Sequence, residues 1–137
     1  FNNIGVVNNS GGDAIDLSGS SVVIDNVHIN NVNDKGISFG EGSIGDLKGV
    51  KISSASIAIA VKDSSYVTIK DLLVSKSNIG LALFNKKKEY DGGEINAENV
   101  NFTGVSHKYL LEEKSRLVID SNEYKSNSDN LKATLYK

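Results

Sequence analysis

The sequence predicts an all-β protein, a right-handed parallel β-helix solenoid of about six coils. The first observation behind this prediction is a pair of alternate apolar residues that recurs along the chain, with first members 22, 22, 22, 28 and 22 residues apart. The six pairs are Ile15/Leu17, Ile37/Phe39, Ile59/Val61, Leu81/Leu83, Tyr109/Leu111 and Leu131/Ala133. A fixed period of this size is typical of a solenoid, in which each repeat is one turn of the chain and contacts only its neighbours.

Two further apolar columns supply the other strands of each coil. They are the pairs Ile4/Val6, Val27/Ile29, Val50/Ile52, Leu72/Val74, Val100/Phe102 and Asn122/Tyr124, and the single residues Val22, Ile44, Val67, Ile95 and Leu117. Alternation of apolar and polar residues is typical of strands with one buried face, and no segment keeps a helical apolar stripe for more than one turn. Three strands and three bends fit the period, and coils about 4.8 Å apart give a rod on the order of 25–30 Å long.

The side chains that fill this predicted rod, and those that line its bends, follow from the same columns. The larger interior side chains are expected to be Phe39, Phe102, Tyr109 and Tyr124. A polar column, Asn8, Asn31 and Ser54, falls two residues after the second apolar residue of successive pairs, where a bend is expected. Amide and hydroxyl side chains at a bend hydrogen-bond to one another and to the turn backbone, so we interpret this column as structural.

Composition predicts a single β-helix domain over residues 1–137 and excludes several classes of function. The chain has no cysteine, which excludes disulfides and thiolate metal sites. A net charge of −2 and a single arginine, Arg116, argue against a nucleic-acid partner. No run of 18 apolar residues is present, so membrane insertion is not expected.

The two ends of the chain have different patterns. Phe1 falls in a core column, which predicts that the chain is the C-terminal fragment of a longer protein and that an upstream domain of that protein is its partner. Residues 121–137 are predicted to be a C-terminal cap coil, because the polar bend at 126–130 and the small or polar members of its apolar pairs are typical of a terminal repeat.

Six extra residues in the fourth spacing predict an inserted loop at residues 85–93. Insertions in solenoids form loops on one side, often the binding side, and the bends of the preceding coils bring two acidic residues next to this loop. The candidate ligand-binding residues are Glu41, Lys62, Asp63, Lys86, Lys87, Lys88 and Tyr90. Carboxylates on stacked coils require cations or water between them, so the candidate ligands are a sugar acid held by the lysines, or Ca²⁺. The alternative is an exposed mixed-charge edge that keeps the rod soluble.

Four segments carry a resemblance to a known family. Residues 12–17, 35–41, 59–65 and 86–90 resemble β-helix repeats of the pectate-lyase-like superfamily, above all those of large bacterial surface or secreted proteins, some with a spore-coat-H-type domain. The resemblance implies a bacterial cell-surface or secreted location and a polysaccharide partner. Pectate lyases of this superfamily use an Asp cluster with an Arg base, and polygalacturonases use paired Asp with Gly-His-Gly and Arg-Ile-Lys. None of these motifs is present in the sequence.

Two functions therefore remain open. The first is a non-catalytic β-helical module, structural or carbohydrate-contacting, of a bacterial cell-envelope or secreted protein. The second is the C-terminal part of a polysaccharide lyase, epimerase or hydrolase that acts on an acidic glycan. The second predicts that Asp63→Ala and Lys62→Ala reduce the activity of the full-length protein while stability stays nearly unchanged. A viral fibre or adhesin segment would require an apolar seam between three chains, which the charged exterior does not provide.

Overall fold

The chain coils into a parallel β-solenoid of about five turns, seen in a computed structural model that describes residues 5–9 and 12–136. Its elements are β1 Gly5–Asn9, β2 Ile15–Ser18, β3 Ser21–Gly40, β4 Ile44–Lys62, β5 Tyr66–Ser75, β6 Ile79–Phe84, β7 Glu94–Thr103, β8 His107–Leu111, β9 Arg116–Ile119, β10 Asn122–Glu123 and helix α1 Leu131–Leu135. Strands make up 64% of the chain, so the predicted fold class is confirmed.

The register between coils reproduces the period read from the sequence. Ile37 of β3 pairs with Ile59 of β4, and Ile59 pairs with Leu81 of β6. Leu81 then pairs with Tyr109 of β8, across the long spacing of 28 residues. The six additional residues therefore do not disturb the parallel register, because they form a loop outside the coil between β6 and β7.

Two columns of residues with left-handed backbone conformation form bends of the coil. Asn26, Gly49, Asp71 and Asn99 have φ of 60°, 67°, 63° and 55°, and Asn31, Ser54, Lys76 and Gly104 have φ of 56°, 60°, 50° and 64°. Asn, Asp and Gly tolerate this conformation better than other residues, which explains the first column. The second column contains the predicted bend residues Asn31 and Ser54, whereas the side chain of Asn8 lies outside the described part of the chain.

Gly49 is the one position without a side chain in the first column, and it gives a test of these bends. A Cβ at Gly49 would lie 3.8 Å from Asn26, an ordinary contact, so space does not limit substitution. We expect Gly49→Asn to change the free energy of unfolding by less than about 0.5 kcal/mol, whereas Gly49→Val should lower it by about 2 kcal/mol, because a β-branched residue is strained at positive φ. Urea denaturation of both variants measures the difference, and equal losses would contradict it.

The interior holds the predicted aliphatic columns. Ile37, Phe39, Ile59 and Leu81 are fully buried, and partly buried Phe102 and Tyr109 pack against the same core. Tyr124 was predicted to be interior, and this is wrong: its side chain is exposed and meets the ring of Tyr109 edge-on at 5.2 Å. The ring of Tyr124 therefore covers the last coil from outside.

The prediction of six coils is too high by one, because the chain turns back after the fifth. Asn122 pairs with Ile119 in antiparallel orientation, which reverses the chain direction. The sixth apolar pair, Leu131/Ala133, then lies in α1 instead of a strand. No helix in the described residues is long and apolar enough to cross a membrane.

Residues 126–136 run back along the outside of the solenoid. The side chain of Asn127 pairs with the free edge of β8: its Oδ1 accepts from the backbone N of Leu111 at 2.8 Å, and its Nδ2 donates to the carbonyl of Tyr109 at 3.0 Å. Leu131 packs into a second apolar cluster on the outer face of β4 and β6, around Ile57, Ile79 and Phe84. An amide side chain thus satisfies strand edge groups that would otherwise be unpaired.

Candidate functional site

Five of the seven predicted site residues line one small cleft at the bend that follows β2, β3 and β4. These five are Glu41, Lys62, Asp63, Lys86 and Lys87. The cleft, which we call the Lys62 cleft, has a volume of about 150 Å³ and is also lined by Asp16, Leu17, Ser18 and Gly40. The inserted loop at 85–93 contributes Lys86 and Lys87, because its first residues fold over the end of β4. The stacked bends and the insertion meet here, as the sequence pattern suggested.

The other two predicted residues do not line this cleft. Lys88 is exposed and faces a separate groove formed by the loop and the C-terminal segment. Tyr90 is half-buried, and its backbone N donates to the carbonyl of Lys87 at 3.1 Å in a turn. Tyr90 therefore shapes the loop that carries Lys87.

Lys62 is a half-buried cation that lines the cleft. Its Nζ donates to the hydroxyl of Ser38 at 2.8 Å. Gly40 leaves space for it, since a Cβ at Gly40 would lie 3.1 Å from the same Nζ. Across the described ranges, no carboxylate oxygen lies within 4 Å of this ammonium group. Burial lowers the pKa of Lys62, and the nearby charge of Asp16 opposes the shift only in part.

Glu41 and Lys87 form an ion pair at the rim of the cleft. The carboxylate of Glu41 accepts a hydrogen bond from Nζ of Lys87, and both side chains are exposed. This hydrogen bond lowers the pKa of Glu41 and raises the pKa of Lys87. An exposed pair of this kind contributes little to stability, but it holds the loop across the mouth of the cleft.

Asp63 differs from Glu41 because its carboxylate is buried. Its Oδ1 accepts from the backbone N of Lys86 at 2.7 Å and from that of Lys87 at 2.9 Å, and its Oδ2 has no hydrogen-bond partner among the described residues. Asp63 is 1% exposed and has φ of 53°. The carboxylate thus fixes the first turn of the inserted loop, which is a structural task.

An aromatic neighbour of the cleft, Tyr136, was missed by the sequence analysis. Its ring lies between two ammonium groups, 4.9 Å from Nζ of Lys35 and 4.3 Å from Nζ of Lys86. Lys35 is buried and also pairs with Asp13 at 3.7 Å and Asp34 at 3.3 Å. Tyr136 reaches this position because the chain reverses after β9, and no periodicity in the sequence signals that reversal.

Metal ligation and similarity to known proteins were two further possible guides to the function of the cleft, and neither supplies one for the described residues. Within residues 5–9 and 12–136, no three carboxylate or imidazole side chains are grouped so that they could hold a metal ion. Comparison with protein-family models, with curated proteins and with solved structures finds no match to this chain.

Proposed function

We propose that this chain is a non-catalytic β-helical module that contacts an acidic polysaccharide through the Lys62 cleft, within a bacterial cell-envelope or secreted protein. From the resemblance of the repeats of this chain, we further propose that it belongs to the pectate-lyase-like superfamily. One observation carries the proposal: the half-buried ammonium group of Lys62 faces the cleft, and no carboxylate oxygen of the described residues lies within 4 Å of it. The charges of Asp16 and Asp63 offset the cost of its burial only in part, and the carboxylate of a sugar acid would supply a direct contact.

The state of the two acidic residues supports a binding role over a catalytic one. Glycoside hydrolases need two carboxyl groups free to exchange protons or to attack the sugar. The carboxylate of Glu41 is held by Lys87, and the carboxylate of Asp63 is buried against backbone N–H groups. Both candidate carboxylates are therefore occupied by contacts within the chain.

One observation favours the alternative, the C-terminal part of a polysaccharide lyase, epimerase or hydrolase. The lowered pKa of Lys62 increases the fraction of neutral amine, which is the form that abstracts a proton. A base of this kind suits lyase or epimerase chemistry next to a sugar carboxylate better than it suits hydrolysis. The alternative predicts that the full-length protein shortens or epimerises an acidic glycan and that Lys62→Met abolishes this activity.

A screen of acidic and neutral polysaccharides separates the two functions. The chain is tested for binding on a glycan array and for depolymerisation by the appearance of new reducing ends. We expect binding to acidic glycans without shortening of the polymer. Turnover of any acidic glycan by this chain alone would refute the non-catalytic proposal, and equal binding of neutral and acidic glycans would refute the role of the Lys62 charge.

Substitution of Lys62 by methionine should affect binding and stability in opposite directions. A lysine pKa that is lower in the folded chain means that the charged form costs stability at neutral pH. This cost falls as pH rises above the folded pKa and is gone above the pKa of the unfolded chain. Lys62→Met should therefore raise the free energy of unfolding and abolish binding of acidic glycan.

The exposed Lys51 of β4 provides the matched control for this substitution. Lys51→Met removes the same charge and should leave both binding and stability within about 0.5 kcal/mol of the parent chain. Calorimetric titration at several pH values and urea denaturation give the two readouts. A loss of stability in Lys62→Met would show that the ammonium group is a structural contact.

A further inference from the structure

A second cavity, larger than the Lys62 cleft, lies between the inserted loop and the C-terminal segment. This groove has a volume of about 550 Å³. Lys86 and Lys88 line the groove from the loop, Lys132 and the residues before it line it from the C-terminal segment, and Lys114 lines it from the turn after β8. We call it the four-lysine groove. It shares only Lys86 with the Lys62 cleft.

The groove is positive although the chain as a whole carries a net charge of −2. None of its four lysines has a carboxylate oxygen within 4 Å in the described part of the chain. The carboxylates that line it are those of Glu112, Glu113 and Asp129. The carboxylate of Glu112 accepts hydrogen bonds from backbone N–H groups and keeps its charge, so the lining carries four cations against three carboxylates, a net charge of about +1. Low-dielectric walls focus such a local excess of charge onto a ligand.

The loop and the C-terminal segment that line the groove are fixed to each other by one buried side chain. Oε2 of Glu112 accepts from the backbone N of Leu131 at 2.6 Å, and Oε1 accepts from the backbone N of Asn85 at 3.2 Å. Glu112 is 9% exposed, so its carboxylate is largely shielded from solvent. The spacing between the loop and the C-terminal segment is therefore built into the fold and does not depend on a ligand.

We propose that the four-lysine groove binds tetrahedral oxyanion groups, the phosphate or sulfate esters of a polymer. Each lysine ammonium group is a compact point charge with three donors, so it contacts an oxyanion without a fixed orientation. A tetrahedral ester offers acceptor oxygens in several directions, which fits cations that come from the inserted loop, the turn after β8 and α1.

The test uses three probes and one variant pair. Dextran sulfate, inorganic polyphosphate and polygalacturonate are titrated calorimetrically at low and at high salt. The variant Lys114→Gln/Lys132→Gln removes two charges from the groove, and the matched control Lys48→Gln/Lys70→Gln removes two exposed charges from β4 and β5. We expect about tenfold weaker binding of an ester polymer by the groove variant, no change for the control, and a loss of affinity at high salt.

The same experiment separates the sources of the ligand and the two proposals made for this chain. Tighter binding of dextran sulfate indicates a sulfated polymer, and tighter binding of polyphosphate indicates a phosphorylated one. Polygalacturonate binding that survives in the groove variant belongs to the Lys62 cleft and tests that proposal alone. Absence of ester binding at low salt, equal losses in the control, or an equal loss of polygalacturonate binding in the groove variant would each overturn the four-lysine groove.

Discussion

Gly93→Ala is expected to lower the free energy of unfolding by about 3 kcal/mol or more. A Cβ at Gly93 would lie 2.5 Å from the carbonyl carbon and 2.8 Å from Cγ1 of Val61, and closer still to the carbonyl oxygen. Val61 is fully buried in β4, so its backbone cannot move aside without disturbing the interior. Overpacking against a rigid neighbour is among the mechanisms that produce large losses of stability.

The matched control for this substitution is Gly5→Ala at the other end of the solenoid. A Cβ at Gly5 meets none of the described residues within 4 Å, so the same chemical change should stay within about 0.5 kcal/mol of the parent chain. Urea denaturation followed by circular dichroism gives both values. If Gly93→Ala lowers the free energy of unfolding by less than about 1 kcal/mol, the segment after the inserted loop does not pack against Val61.

The fold was predictable from the sequence because every coil repeats the same physical constraint. Ile15, Ile37, Ile59 and Leu81 pair in one parallel register, and each must be apolar because it faces the same interior. A period of 22 residues then determines which residues are neighbours in successive coils. The pattern fails only where the repetition ends: Leu131 keeps the spacing, yet it packs on the outside of the sheet in a helix.

The candidate site was predictable in its location and not in its contacts. Stacked bends and an insertion at the same edge place Glu41, Lys62 and Asp63 near the loop, and both facts are visible in the spacing. Which carboxylate points outward and which is buried depends on the loop conformation, which has no periodicity. The contribution of Tyr136 depends on the reversal of the chain after β9, for which the sequence carries no repeated signal.

Asp63→Ala is expected to lower the free energy of unfolding by about 2–3 kcal/mol. The substitution removes the acceptor of two backbone N–H groups, those of Lys86 and Lys87, and it places alanine at a φ of 53°. This revises the expectation from the sequence that Asp63→Ala leaves stability nearly unchanged, since that expectation assumed an exposed carboxylate. Urea denaturation measures the loss, and proteolysis within residues 85–93 reports whether the loop is released.

Two further substitutions separate the loss of an acceptor from the loss of a charge. Asp63→Asn keeps an oxygen at Oδ1 and tolerates positive φ, so it should cost less than half as much as Asp63→Ala. Asp16→Ala removes an exposed carboxylate of the same cleft and should stay within about 0.5 kcal/mol. If Asp63→Asn costs as much as Asp63→Ala, the charge itself is required.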